Sequence, residues 1–67
     1  MKTKTYAVSV VLTRMNTASI SIHNFLGVRT VASGPDAEDA ARGSVVQEAL
    51  QANPGFAVHL ILAHEVG

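Results

Sequence analysis

The sequence predicts an α+β fold: a small antiparallel sheet of three or four strands, in the order β-β-(β)-α(α)-β, with one kinked helix or two short helices on one face. Three observations predict it. Apolar and polar residues alternate through TYAVSVVLT (5–13) and ASISIH (18–23), the pattern of strands with one core face. A helical pattern follows Gly34-Pro35-Asp36. The run FAVHLILAHEV (56–66) then returns to extended spacing. At 67 residues the chain is expected to form a single domain over 1–67.

In the first strand Tyr6, Val8, Val10 and Leu12 share one face, and Ala7, Ser9, Val11 and Thr13 the other. The tetrad RMNT (14–17) contains the turn former Asn16, so the first two runs are expected to pair as an antiparallel hairpin. In the second run Ala18, Ile20 and Ile22 alternate with Ser19, Ser21 and His23. Asn24 and Gly27 both tolerate positive φ, so NFLG is expected to break this strand; the alternative is one long bulged strand from Thr17 to Ser33.

Pro35 suits a first helical turn, and Asp36, Glu38 and Asp39 complement the positive end of a helix dipole. Gly43 then interrupts, at a cost of about 1 kcal/mol relative to alanine. Ser44 and Gln47 have the spacing of a capping box. On a helical wheel Val45, Val46, Ala49 and Leu50 share an arc which, projected back through a straight helix, carries Glu38, Asp39 and Arg42. A joint at Gly43-Ser44 is therefore expected. Asn53-Pro54-Gly55 stops the helix. The last run is apolar on both faces, with Phe56, Val58, Leu60, Leu62 and His64 against Ala57, His59, Ile61, Ala63 and Glu65. That pattern fits a central strand, or a sheet whose second face is also covered.

Composition narrows the function. Cysteine is absent, which excludes disulfides and thiolate metal sites. The only aromatic residues besides histidine are Tyr6, Phe25 and Phe56, so a short chain must build its core from small pieces. A homo-oligomer is expected, because a second copy supplies the missing apolar area. Five basic and five acidic side chains cancel, which disfavours a nucleic-acid partner held by bulk charge. No run approaches the roughly 18 apolar residues of a membrane helix. The opening MKTKTYAVSVVL has no small-residue cleavage site, so a cytoplasmic protein without a membrane partner is expected.

The motifs of chemistry are missing. His59 and His64, five apart on an extended run, are expected to point to opposite faces and so not to share a metal ion. Gly43-Ser44 lacks the second glycine and the strand-to-helix setting of a nucleophile turn. No phosphate-cradling glycine pattern occurs. No catalytic, cofactor-binding or metal-binding residue is assigned, and the chain is expected not to be an enzyme.

In length, in strand-strand-helix-helix-strand order, and in SVVQEAL (44–50) followed by AHEV (63–66), the chain resembles the small phage-encoded inhibitor proteins, including some anti-CRISPR proteins. The resemblance implies a small protein that binds and blocks a larger one. It differs from the strongly acidic, DNA-mimicking members of that group in being neutral, and no functional residue is carried over from it.

Three functions compete. The first is a non-enzymatic, oligomeric interaction protein that contacts a protein partner through an exposed strand edge, through Asn24, Phe25 and Leu26, or through the acidic patch of Asp36, Glu38 and Asp39. The second is a nucleic-acid-binding regulator using the hairpin with Lys2, Lys4, Arg14 and Arg29. The third is an oligomeric ligand-binding protein or enzyme with a site between subunits.

Overall fold

The computed structural model describes residues 2–67 and places three strands and one helix in α+β order: β1 Thr3–Met15, β2 Ile20–Ala32, α1 Ala37–Ala52 and β3 Ala57–Val66. The strands form one antiparallel sheet in the order β2-β1-β3. β1 is therefore the central strand. The apolar character of both faces of β3 fits a central strand, but β3 lies at an edge, and its second apolar side faces away from α1 without cover from this chain.

The hairpin forms as expected, with strands longer than the alternating runs alone indicate. Asn16 closes it: its Oδ1 accepts from the backbone N–H groups of Ala18 and Ser19 at 2.9 and 2.8 Å, and its own N–H donates to the Ser19 carbonyl at 3.0 Å. An Asx side chain is suited to this because it can replace a backbone acceptor in the turn. Asn16→Ala is expected to cost about 1 kcal/mol of stability, measured by urea denaturation, with the strands otherwise intact.

The expected break at Asn24–Gly27 does not occur. β2 pairs with β1 continuously from Ile20 opposite Met15 to Ala32 opposite Thr3, so the one long strand of the alternative forms, though without its bulge. Asn24 and Gly27 are not at positive φ. Gly27 has a different purpose: a Cβ built there would lie 3.0 Å from both Cγ1 and Cγ2 of Val45. Its hydrogen is what lets the helix approach β2. The one register irregularity in the sheet lies instead between β1 and β3, at Val11/Leu12 opposite Leu60 and Val58, and leaves His59 as the extra residue of a bulge.

The helix is a single run, not two. Its buried stripe is Ala37, Ala41, Val45 and Ala49, one residue per turn, packed on Tyr6, Val8, Val10 and Leu12. Val46 is only partly buried and Leu50 is 38% exposed, so the contact line is rotated away from the arc expected from Val45, Val46, Ala49 and Leu50. Alanines at the contact line let the helix lie close to the sheet, and the larger strand side chains fill the layer between. Glu38 and Arg42 flank the stripe, stay partly exposed and pair with each other at 3.1 Å, so a straight helix isolates neither charge in the core, although Arg42 Nε is buried without a partner.

Ser44 does not cap a second helix; its Oγ accepts from Arg29 Nε at 3.0 Å and ties α1 to β2. Gly43 has open space where a Cβ would go and lies within the helix. Gly43→Ala is therefore expected to raise stability by roughly 0.5–1 kcal/mol, read as a higher denaturation midpoint. A loss would restore the joint.

Both ends of the helix follow the sequence. Asp36 precedes the first turn, and Glu38 and Asp39 lie within it. At the other end Asn53 donates to the Ala49 carbonyl from its backbone N–H at 3.0 Å and its side-chain Nδ2 at 2.9 Å, and Gly55 takes the positive φ of 87° that turns the chain into β3.

Candidate interaction surface

The topology decides which surface is left bare. β2 and β3 both run antiparallel to β1 and lie on opposite sides of it, so the chain must cross the sheet between them. α1 makes that crossing on one face only. The register then sorts the side chains: the even-numbered residues of β1 face the helix, and with them His23, Phe25, Gly27, Arg29 and Val31 of β2 and Ile61, Ala63 and Glu65 of β3.

The opposite face is open. From β2 it presents Ile20 at 62% exposure, Ile22 at 70%, Leu26 at 73% and Val28 at 59%; from β3 it presents Leu60 at 47% and Leu62 at 56%. Ala7, Val11 and Met15 of β1 run between them. The polar members are Thr3, Thr5, Ser9, Thr13, Asn24, Thr30, His59 and His64. No Asp, Glu, Lys or Arg of any strand lies on this face. Single exposed apolar residues are ordinary, whereas a contiguous set of this kind is unusual on the surface of a single chain.

Near the hairpin the face sinks into a depression of about 310 Å³, lined by Val11, Thr13, Met15, Ile20, Ile22 and His59. His59 reaches it because of the bulge, which carries the extra residue to the side of Leu60. His59 and His64 thus share a face, contrary to the strict alternation that places them on opposite sides. His23 is on the helix side, its ring centroid 6.2 Å from that of Phe56. Among the described residues no group of three or more His, Cys, Asp or Glu is gathered as a metal site would require. No helix among them is long and apolar enough to cross a membrane.

The candidate residues of the sequence divide between the two faces. Asn24 and Leu26 lie on the open face, and Phe25 between them turns to the helix side and packs against the core. The three do not act as one loop. Asp36, Glu38 and Asp39 stay together at the helix start, though Glu38 is engaged by Arg42.

The basic candidates are not gathered into a patch. Lys4 lies 3.9 Å from Glu65, and the Arg14 guanidinium stacks 5.0 Å from the centre of the Phe56 ring. Arg29 pairs with Glu48, in addition to its bond to Ser44, while Lys2 is exposed at the end of the sheet.

Sequence reasoning missed Ile20, Ile22 and Val28 as members of the surface, because it read Ile20 and Ile22 as a core face, whereas the second apolar side of β3, with Leu60 and Leu62, was legible from the last run. The available signal was the absence of charge: once β2 is one uninterrupted strand, the set Ile20, Ile22, Asn24, Leu26, Val28, Thr30 and Ala32 contains no ionisable group. Comparison of the chain with protein-family models, curated proteins and solved structures returned no match.

Proposed function

We propose that this protein is a non-enzymatic interaction protein whose main working surface is the helix-free face of its sheet. The observation that carries the reading is the charge-free apolar face spanning β2, β1 and β3. Contact through such a face derives its energy from apolar burial and its selectivity from shape. The reading extends to assembly of the chain into an oligomer and to blocking a larger protein, which is what the likeness to small phage-encoded inhibitors implies. In that assembly the acidic helix start with Asp36, Glu38 and Asp39 stays on the outside, available to a basic partner.

Among the described residues His59 is the titratable side chain that lines the depression, and Asp36, Glu38, Asp39, Glu48 and Glu65 lie off the open face.

The test is site-specific photocrosslinking in the intact protein. A photoreactive side chain is placed at Leu26 or Leu62 on the open face, and at Gln47 on the outer side of the helix as control. Discrete protein adducts, to self or to another protein, are expected from the first two positions and not from Gln47. No adduct from either open-face position would contradict the proposed function.

A further inference from the structure

We infer that the occupant of the open sheet face is a second copy of this chain, packed sheet on sheet about a two-fold axis to give a four-layer α/β/β/α dimer. The inference rests on the reading of that face as an interaction surface and names what covers it.

The single chain has the shape of half a body. A compact chain of this length has a radius of gyration of about 11 Å, whereas here it is 13.4 Å, with extents of 50 × 18 × 16 Å. The accessible surface is 4575 Å², above the roughly 4,000 Å² that a folded monomer of this mass exposes. The bare face is part of that exposed surface. Strand rise and strand spacing give it about 40 Å by 14 Å, on the order of 600 Å² in projection. Side-chain relief brings that close to the ~800 Å² that each partner contributes to a standard stable interface.

The face is also complementary to itself. A two-fold axis brings a surface against its own copy, so charged residues near the axis would approach like charges or be stripped of water without a partner. A face shaped for a different protein can carry charges, because the partner supplies the opposite ones. This face carries none on any of its three strands. Part of its polar inventory is already satisfied within the chain, as Thr5 and Thr30 join their hydroxyls at 2.9 Å. The depression beside His59 gives an apolar side chain of the second copy a place to seat. Twisted sheets stack about 10 Å apart with strands roughly 30° off parallel, an arrangement that needs apolar inner faces on both layers.

The experiment is light scattering on the purified full chain across a wide concentration range. The expected result is the mass of two chains. Leu26→Asp and Leu62→Asp should each weaken association by about 100-fold or more, since each buries an unpaired charge, while Gln47→Asp leaves the dimer intact. Because a face variant may unfold once its cover is lost, the unfolding midpoint of the unaltered protein is followed as well; it should rise with protein concentration. A single-chain mass with a concentration-independent midpoint overturns the inference and leaves the face open to a different protein. A dimer that survives both face substitutions lies on a strand edge and overturns it too. Failure of the underlying reading differs from either, because crosslinks from Leu26 and Leu62 would then be absent altogether.

Discussion

Leu12→Ala is expected to lower stability by about 3 kcal/mol, within the 2–5 kcal/mol that truncating a buried leucine costs. Leu12 is 0% exposed and is the largest fully buried side chain. It packs in a core otherwise made of Tyr6, two valines and the helix stripe of Ala37, Ala41, Val45 and Ala49. Alanines have no side chain with which to close a cavity, so little relaxation is available. A domain of this length holds roughly 3–10 kcal/mol in total, and the variant should therefore be largely unfolded near its former midpoint. Equilibrium denaturation reads the effect directly. Ile22→Ala is the informative contrast, because Ile22 is 70% exposed within one chain. Any large loss there reports what covers the open face rather than the core. A change below about 1 kcal/mol for Leu12→Ala would be inconsistent with full burial.

Gly27→Val is expected to be the second most damaging change, at about 1–3 kcal/mol from overpacking. In an ordinary strand position valine replaces glycine favourably. Here the new Cβ would meet both methyl carbons of Val45 at 3.0 Å and Arg29 Nη1 at 3.3 Å. Val45 is itself fully buried and cannot swing out to solvent. The helix must then lift, which also strains the link from Arg29 to Ser44 and Glu48. Adding Val45→Ala should recover part of the loss, so the double-mutant cycle gives a favourable coupling of roughly 1 kcal/mol. A stabilising Gly27→Val would mean that strand propensity dominates and that the helix does not rest on this glycine.

Much of the fold could be read from the sequence, and the misreadings share a cause. The face of β1 with Tyr6, Val8, Val10 and Leu12 was evident from period-two alternation, and so were the Asn16 turn and the Asn53-Pro54-Gly55 stop. Local patterns carry that information because each side chain reports its own environment. Gly27 was misread because a glycine signals either conformational freedom or close approach, and only the packing of α1 on β2 shows that it is the second. Gly43 was misread because its cost in a helix is small enough for the surrounding turns to carry it without a break.

The same limit applies to the surface. Val46 and Leu50 pulled the wheel away from the true contact line, which is set by where alanine lets the helix sit close. Ile20 and Ile22 looked like a core face because apolar alternation marks one side of a strand without showing whether the chain's own helix covers it. His59 was assigned to the wrong side because a one-residue bulge in β3 leaves no mark in composition. In the candidate surface, Leu26 and Asn24 were identified from the sequence, but as part of a loop with Phe25 rather than as one face of a continuous strand.

Hydroxyl-radical footprinting of the purified protein tests most directly whether the open face is a buried contact surface. Leu26 and Leu62 are exposed in the single chain, at 73% and 56%. If a second copy covers them, their oxidation rates should fall toward that of Leu12, while Leu50 on the helix side stays reactive at its 38% exposure. Rates for Leu26 and Leu62 above that of Leu50, at concentrations where the protein is folded, would contradict it.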